Sequence, residues 1–248
     1  MNNWYLGLLL LTLLSSCDPS QKHPQASVPL ASPATITSAE PLLTPRADTF
    51  QVRGGVLQLF PVTQTSFNQL AGSALPHQPD STDLPSITAT LGRVYRRDSR
   101  LIFSLNNGGK TVVQDDTTDT DQMSAHYYWG ELAKVHQWVV FVGLWEGSEA
   151  LLVDQRTGQK TYIWGHPVAS PDGQHVVTYS YDMAYNPTGL QLYQVDANGI
   201  HQLWERNTTW GPTGVRWLSN QALAIAKQDM PDSPDTWLGL KILPKLKK

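Results

Sequence analysis

Carboxylate and aromatic side chains, the residue types in this chain that could carry chemistry, concentrate in five irregular segments. The segments are Asp115 to Met123, Glu146 to Glu149, Asp182 to Thr188, Arg206 to Pro212 and Asp229 to Asp235. Paired carboxylates can hydrolyse a glycosidic bond. Tryptophan and tyrosine rings offer rigid contact area to a protein or glycan, and nearby acids bind hydroxyls or attract a basic partner.

The acidic run from Asp115 to Asp121 also offers oxygen ligands of the kind that calcium prefers. It lacks the glycine and the terminal glutamate of a twelve-residue calcium loop, so it is a weak metal signal. The sequence contains no HExxH, GxSxG, phosphate-binding or dinucleotide motif. We therefore assign no catalytic residue and no metal ligand, and we expect no cofactor.

The single cysteine, Cys17, follows an apolar run of eleven residues from Trp4 to Leu14. That run is too short to span a bilayer but suits the core of an export signal. The segment Leu14-Ser15-Ser16-Cys17 resembles a bacterial lipobox. The resemblance implies that residues 1–16 are a lipoprotein signal peptide and that Cys17 is lipidated. It also implies a membrane-anchored protein of the cell envelope, at the outer membrane or the periplasmic face; an ordinary signal peptide is the alternative.

Residues 17–48 differ in composition from the rest of the chain. The stretch from Asp18 to Asp48 contains six prolines and no aromatic residue. Such a segment cannot bury enough apolar surface to offset its ordering entropy, so we expect a disordered, lipid-anchored linker. Residues 49–248 form the predicted folded domain.

The charge distribution argues against nucleic acid as a partner. Four of the 18 Lys and Arg lie in residues 241–248, which leaves 14 bases against 21 acids elsewhere, a net charge of −7. A nucleic-acid-binding domain would have the opposite balance.

Apolar periodicity predicts an all-β fold. Four similar runs begin at Leu101, Val139, Val176 and Leu223, at intervals of 38, 37 and 47 residues. A repeat near 40 residues with about four short strands is typical of propeller blades. We therefore predict a propeller-like array of four-stranded antiparallel blades, four in number, or five with an irregular first. The strand Val56 to Phe60 is expected to complete the last blade.

One turn supports a family resemblance. The segment Ser170-Pro171-Asp172-Gly173 resembles the turn between the first and second strands of TolB-type, WD-repeat-like β-propeller blades. The resemblance implies an up-and-down order of strands within each blade. Turns after the first and third strands, with Arg97-Asp98-Ser99-Arg100 among them, are then predicted at one end, and the five irregular segments at the other.

We call that second end the loop end, because function usually resides in loops on a rigid scaffold. Its candidate face comprises Trp145, Glu146, Glu149, Tyr181, Asp182, Tyr185, Trp210 and Asp232. Three interpretations remain open: solvated loop charges, recognition of an envelope protein or glycan, and catalysis. We expect non-enzymatic recognition; the alternative is an envelope hydrolase, such as a propeller glycosidase, that uses the loop carboxylates.

Overall fold

The structure, a computed structural model, describes residues 49–52, 55–76, 78–79, 82–182, 184–185 and 187–244. The predicted signal peptide, the lipidation of Cys17 and the linker 17–48 lie outside these residues. None of the helices within the described ranges is both long and apolar enough to cross a membrane.

The described chain forms sixteen strands and two short helices, and its strands pair antiparallel in four sheets. It begins with β1 (Thr49–Val52), β2 (Gly55–Pro61), α1 (Gln64–Gln69) and α2 (Leu84–Ala89). Sheet I contains β3 (Val94–Arg97), β4 (Arg100–Ser104) and β5 (Lys110–Gln114). Sheet II contains β6 (Ser124–Leu132), β7 (Gln137–Leu144), β8 (Ser148–Asp154) and β9 (Lys160–Ile163). Sheet III contains β10 (His166–Ala169), β11 (His175–Ser180), β12 (Gly189–Asp196) and β13 (Gly199–Asn207). Sheet IV contains β14 (Gly211–Ser219), β15 (Ala222–Gln228) and β16 (Thr236–Pro244) together with β1 and β2. Its strand order is β1-β2-β16-β15-β14.

The all-β prediction is confirmed, and the four predicted runs are β4, β7, β11 and β15. The uniform four-stranded unit is wrong for two sheets, since sheet I has three strands and sheet IV has five. Within the described ranges none of the sheets closes on itself.

Strand β2 pairs with β16, so an early segment of the chain completes the last sheet. The predicted role of Val56 to Phe60 is thereby confirmed. Near one end of this pairing Gly239 lies opposite Phe60. A Cβ atom built on Gly239 would lie 2.2 Å from the Phe60 ring, so the ring occupies the space of the missing side chain.

The core lies between successive sheets and explains why the runs are continuously apolar. In β7, Trp138 and Val140 pack with sheet I, whereas the intervening Val139 packs with sheet III. In β11, Val176 packs with sheet II and Val177 with sheet IV. A strand buried on both faces needs apolar residues at every position, as in these runs.

Helix α1 covers the face of sheet IV that points away from sheet III. Its buried Phe67 packs on Ala224 and Ala226 of β15. In the described part of the chain no core cluster joins sheet I to sheet IV. The sheets therefore pack in chain order, I to IV.

The described residues between β2 and β3, namely 62–76, 78–79 and 82–93, run along the first strands of the sheets, and we call them the crossing segment. In β14 the Arg216 guanidinium donates to the carbonyls of Phe67, Asn68 and Leu70 at 2.9, 3.2 and 2.9 Å. In β6 the Trp129 indole donates to the carbonyl of Pro76 at 3.0 Å.

The crossing segment ends in a buried ionic network formed by Asp83, Arg96, Asp115 and His126. Asp83 is 2% exposed, and its Oδ2 lies 2.7 Å from Arg96 Nη2. The second guanidinium nitrogen, Nη1, lies 3.0 Å from Asp115 Oδ2. Asp115 Oδ1 accepts the backbone N–H of His126 at 2.9 Å, and Arg96 also donates to the His126 carbonyl. The Arg96 network thus joins the crossing segment to sheets I and II.

We expect Gly239→Ala to destabilise the domain by about 2 kcal/mol, because the added methyl group must displace the Phe60 ring from β16. Urea unfolding measures the effect. Gly143→Ala in β7 is the matched control, since its Cβ would have no contact closer than 3.7 Å. Equal stability of the two variants would contradict the packing of Phe60 on Gly239.

We expect Asp83→Asn to lower the free energy of unfolding by about 3 kcal/mol, because it removes one partner of a buried ion pair. Asp115 still pairs Arg96, which limits the loss. Asp98→Asn is the matched control: Asp98 is exposed, and both aspartates have a positive φ, 48° for Asp83 and 52° for Asp98. Denaturant unfolding of both variants tests this, and an unchanged midpoint for Asp83→Asn would contradict the assignment.

Candidate functional site

The antiparallel pairings place the loops of sheets II to IV at two opposite ends. The connections β7–β8, β11–β12, β13–β14 and β15–β16 share the loop end, and the tight turns of these sheets share the other, which we call the turn end. Sheet I differs. The backbone N–H of Asp115 donates to the Ser99 carbonyl at 2.8 Å, which places the β3–β4 turn at the loop end. The prediction that Arg97 to Arg100 lies at the turn end is therefore wrong.

The reason is that sheet I lacks a first strand. Helix α2 packs beside β3 and β6, where the other sheets have their first strand. The β4–β5 loop consequently lies at the turn end, where the Asn106 N–H donates to the Gln155 carbonyl at 2.8 Å. A sequence repeat cannot reveal which strand of a unit is missing.

The acidic run at the loop end binds its own chain. Asp115 belongs to the Arg96 network. Asp116 Oδ1 accepts the N–H and the hydroxyl of Thr118, and these bonds lower the pKa of Asp116. Across the described ranges no three His, Cys, Asp or Glu side chains form a group that could hold a metal ion.

Five of the eight candidate residues lie where sheets III and IV meet: Tyr181, Asp182, Tyr185, Trp210 and Asp232. Asp182 and Trp210 line one cavity of about 290 Å³. Its other lining residues are Thr188, Asn207, Thr208 and Thr209. The cavity therefore combines one carboxylate, one amide and three hydroxyls with one aromatic ring.

Hydrogen bonds hold the two loops that form this cavity. Asp182 Oδ1 accepts the backbone N–H groups of Ala184 and Tyr185 at 2.9 and 3.0 Å. The Thr188 hydroxyl donates to the Asp182 carbonyl at 2.6 Å, and the Thr208 N–H donates to the Thr188 carbonyl at 2.9 Å. The walls are thus fixed by their own backbone.

Trp210 lies between two cavities of different polarity. A neighbouring cavity of about 240 Å³ shares Trp210 but is lined on its far side by Leu57, Leu190 and Leu240. The Lys227 ammonium lies 5.8 Å from the centre of the Trp210 ring. The ring is half-buried and packs against the core between sheets III and IV.

Tyr181 packs against Gly211, which follows Trp210 in the chain. A Cβ atom on Gly211, the first residue of β14, would lie 2.1 Å from the Tyr181 ring, so the ring covers that glycine closely. Burial and the nearby charge of Asp232 raise the pKa of the Tyr181 phenol. The phenol oxygen is buried and makes no hydrogen bond to any described residue.

The other three candidate residues lie on sheet II. Trp145, 57% exposed, and Glu146 are in the β7–β8 hairpin. Glu149 lies in β8, where burial raises its pKa; burial, together with the Glu149 charge, also raises the pKa of Tyr162. None of these three residues is among the described residues that line the Asp182 cavity.

The glycosidase alternative requires two carboxylates about 5 to 10 Å apart on one cavity. Among the residues that line the Asp182 cavity, Asp182 is the only carboxylate. Glu146 and Glu149 therefore do not complete a catalytic pair there. The sequence also missed Thr188, Asn207 and Thr209, because hydroxyl and amide residues in loops form no distinctive pattern.

Comparison with known proteins found no matching family model, no matching curated protein and no matching solved structure.

We expect Gly211→Ala to loosen the loop end, because its methyl group must displace the Tyr181 ring. Amide hydrogen exchange should accelerate in 181–182 and 206–212, with a stability loss of about 2 kcal/mol. In a Tyr181→Ala background the same substitution should cost little, since the clash is gone. An equal cost in both backgrounds would contradict the contact.

Proposed function

We propose that this chain is a lipid-anchored protein of the bacterial envelope that binds a saccharide, without catalysis, in the Asp182 cavity. The observation that carries the proposal is the Trp210 ring beside a small cavity with fixed hydroxyl, amide and carboxylate groups. Ligand sites typically combine an apolar or aromatic wall with a few placed polar groups.

Saccharides present both kinds of surface to a protein. Their C–H faces pack on an aromatic ring, and Trp210 supplies such a ring. Their hydroxyls donate and accept hydrogen bonds, as do the Thr209 hydroxyl and the amide of Asn207, whereas the Thr188 hydroxyl is already bonded to the backbone of Asp182. The Asp182 carboxylate accepts from hydroxyl groups, and charge-assisted bonds of this kind are the stronger ones.

The rigid loops favour binding because little order must be created when a ligand arrives. The Thr188 hydroxyl bonds the N–H and the carbonyl of Asp182, and the Thr208 N–H donates to the Thr188 carbonyl, so the two loops are already joined. Preorganised walls reduce the entropic cost of association. Tyr185, 61% exposed beside this cavity, is available to extend the contact beyond one sugar ring.

A concave site of this size suits a saccharide better than a flat protein surface. A standard protein interface buries about 800 Å² on each partner, much more than the opening of a 290 Å³ cavity provides. The envelope contains abundant glycans, and the linker 17–48 would hold the domain within reach of them. The saccharide is thus favoured over a protein partner.

The four sheets are best interpreted as the blades of an open, TolB-like propeller array. The sheets pack face to face in chain order, and an early strand, β2, completes the last of them. The missing first strand of sheet I and the α1 cover on sheet IV distinguish this array from a closed ring.

A glycan array probed with the soluble domain Thr49–Lys248 tests the saccharide proposal. We expect Trp210→Ala to weaken binding at least about tenfold and Tyr185→Ala to weaken it less. Thr209→Val removes a cavity hydroxyl with little change in shape and should also weaken binding, which separates recognition from any instability of Trp210→Ala.

Trp145→Ala and Tyr162→Ala are the matched controls, because both side chains are more than half exposed and neither lines the cavity. They should bind like the unmodified domain. Loss of binding in Trp145→Ala but not in Trp210→Ala or Thr209→Val would refute the cavity assignment.

A further inference from the structure

A second cavity lies at the turn end, opposite the proposed saccharide site. Its volume is about 430 Å³, within the range of roughly 300 to 1,000 Å³ typical of small-molecule sites. The crossing segment forms one wall, and the inner strands of sheets II to IV form the other. This cavity has no part in the proposed saccharide recognition.

The floor of the cavity is apolar and rigid. Leu132, Val168 and Trp217 line it and are each at least 93% buried. The Trp217 indole N–H donates to the Val168 carbonyl at 3.1 Å, which fixes the ring and satisfies its only donor. A ligand therefore meets a flat aromatic surface and aliphatic groups at the bottom.

The opposite wall consists of the small residues Ala71 to Ala74 of the crossing segment. Gly72 has no atom within 4 Å of a Cβ position, so space remains open around it. The wall is held in place from both sides, by Arg216 on Phe67 and Leu70 and by Trp129 on Pro76. The cavity is consequently a built feature and does not depend on a free loop.

The rim carries two charged side chains with different availability. Glu131 Oε1 accepts from the Gln155 amide at 2.8 Å. Lys134 is exposed, its ammonium lies 3.5 Å from the Pro171 carbonyl, and in the described part of the chain it forms no ion pair. Because the Glu131 carboxylate is held by the Gln155 amide, whereas Lys134 has no ion-pair partner among the described residues, Lys134 is the rim group that can pair with an anionic group on a ligand.

We infer that this cavity binds an anionic amphiphile, with its apolar body on Trp217 and its anionic head at Lys134. A carboxylate with a medium-length alkyl chain matches this chemistry: the chain displaces water from an apolar floor, and the head forms a charge-assisted hydrogen bond. Free fatty acids carry such a carboxylate, and anionic phospholipids offer the same combination of an anionic head, here a phosphate, with acyl chains.

The test is photocrosslinking of the full-length chain in digitonin with a decanoate that carries a diazirine on its alkyl chain. We expect labelling in residues 71–74, 131–134, 168–171 and 217, suppressed by excess decanoate. A parallel arm with diazirine-bearing phosphatidylglycerol separates the two sources of the amphiphile, and competed labelling of the cavity by either one supports the site.

Two variants assign the label to the cavity. Gly72→Leu should abolish it by filling open space, and Lys134→Gln should weaken decanoate binding by roughly tenfold, whereas Lys134→Arg should preserve it. Thermal unfolding checks that Gly72→Leu remains folded. Labelling that spreads over the surface, resists competition or survives in a folded Gly72→Leu variant would overturn the inference, as would absence of labelling in both arms.

Discussion

The buried ion pair between Asp83 and Arg96 is the constraint on which the rest of the domain depends. Asp83 is the buried acid of the crossing segment. Arg96 of sheet I pairs with Asp83 and Asp115 and donates to the backbone of sheet II. Because an unpaired charge would be costly in this buried position, the crossing segment has one favourable placement. That placement positions the small-residue wall of the turn end and tethers the acidic loop at the other end.

Much of the fold was predictable because its information is local. Double-sided burial requires continuous apolar runs, which identified β7, β11 and β15, whereas β4 alternates buried Leu101 and Phe103 with half-buried Ile102. Completion of the last sheet by β2 followed from a missing partner strand. The crossing segment was not predictable, because its placement depends on contacts such as that between Arg216 and Phe67, 149 residues apart. Sheet I was misplaced because helix α2 stands where a strand was assumed.

The candidate site was predictable in part for a related reason. Alternating strand direction places loops at one end whatever their sequence, so Asp182, Tyr185 and Trp210 were found together. Residue type alone could not separate them from Trp145, Glu146 and Glu149, which lie on sheet II. The threonines and Asn207 that complete the cavity contribute because of where the fold places them, which their residue types do not reveal. The two ends also differ in what lines their cavities: hydroxyl, amide and carboxylate residues beside one aromatic ring at the loop end, and an apolar floor bordered by Glu131 and Lys134 at the turn end.

The central claim is that recognition occurs at the loop end between sheets III and IV. Amide and indole resonances of the isotopically labelled domain, followed by nuclear magnetic resonance during titration with soluble peptidoglycan and lipopolysaccharide oligosaccharides, test it most directly. We expect saturable shifts of the Trp210 indole resonance and of the amide resonances in residues 182–188 and 207–210, with the resonances of the turn end unchanged. Shifts confined to the β7–β8 hairpin or the turn end, or no saturable shift with any oligosaccharide, would contradict it.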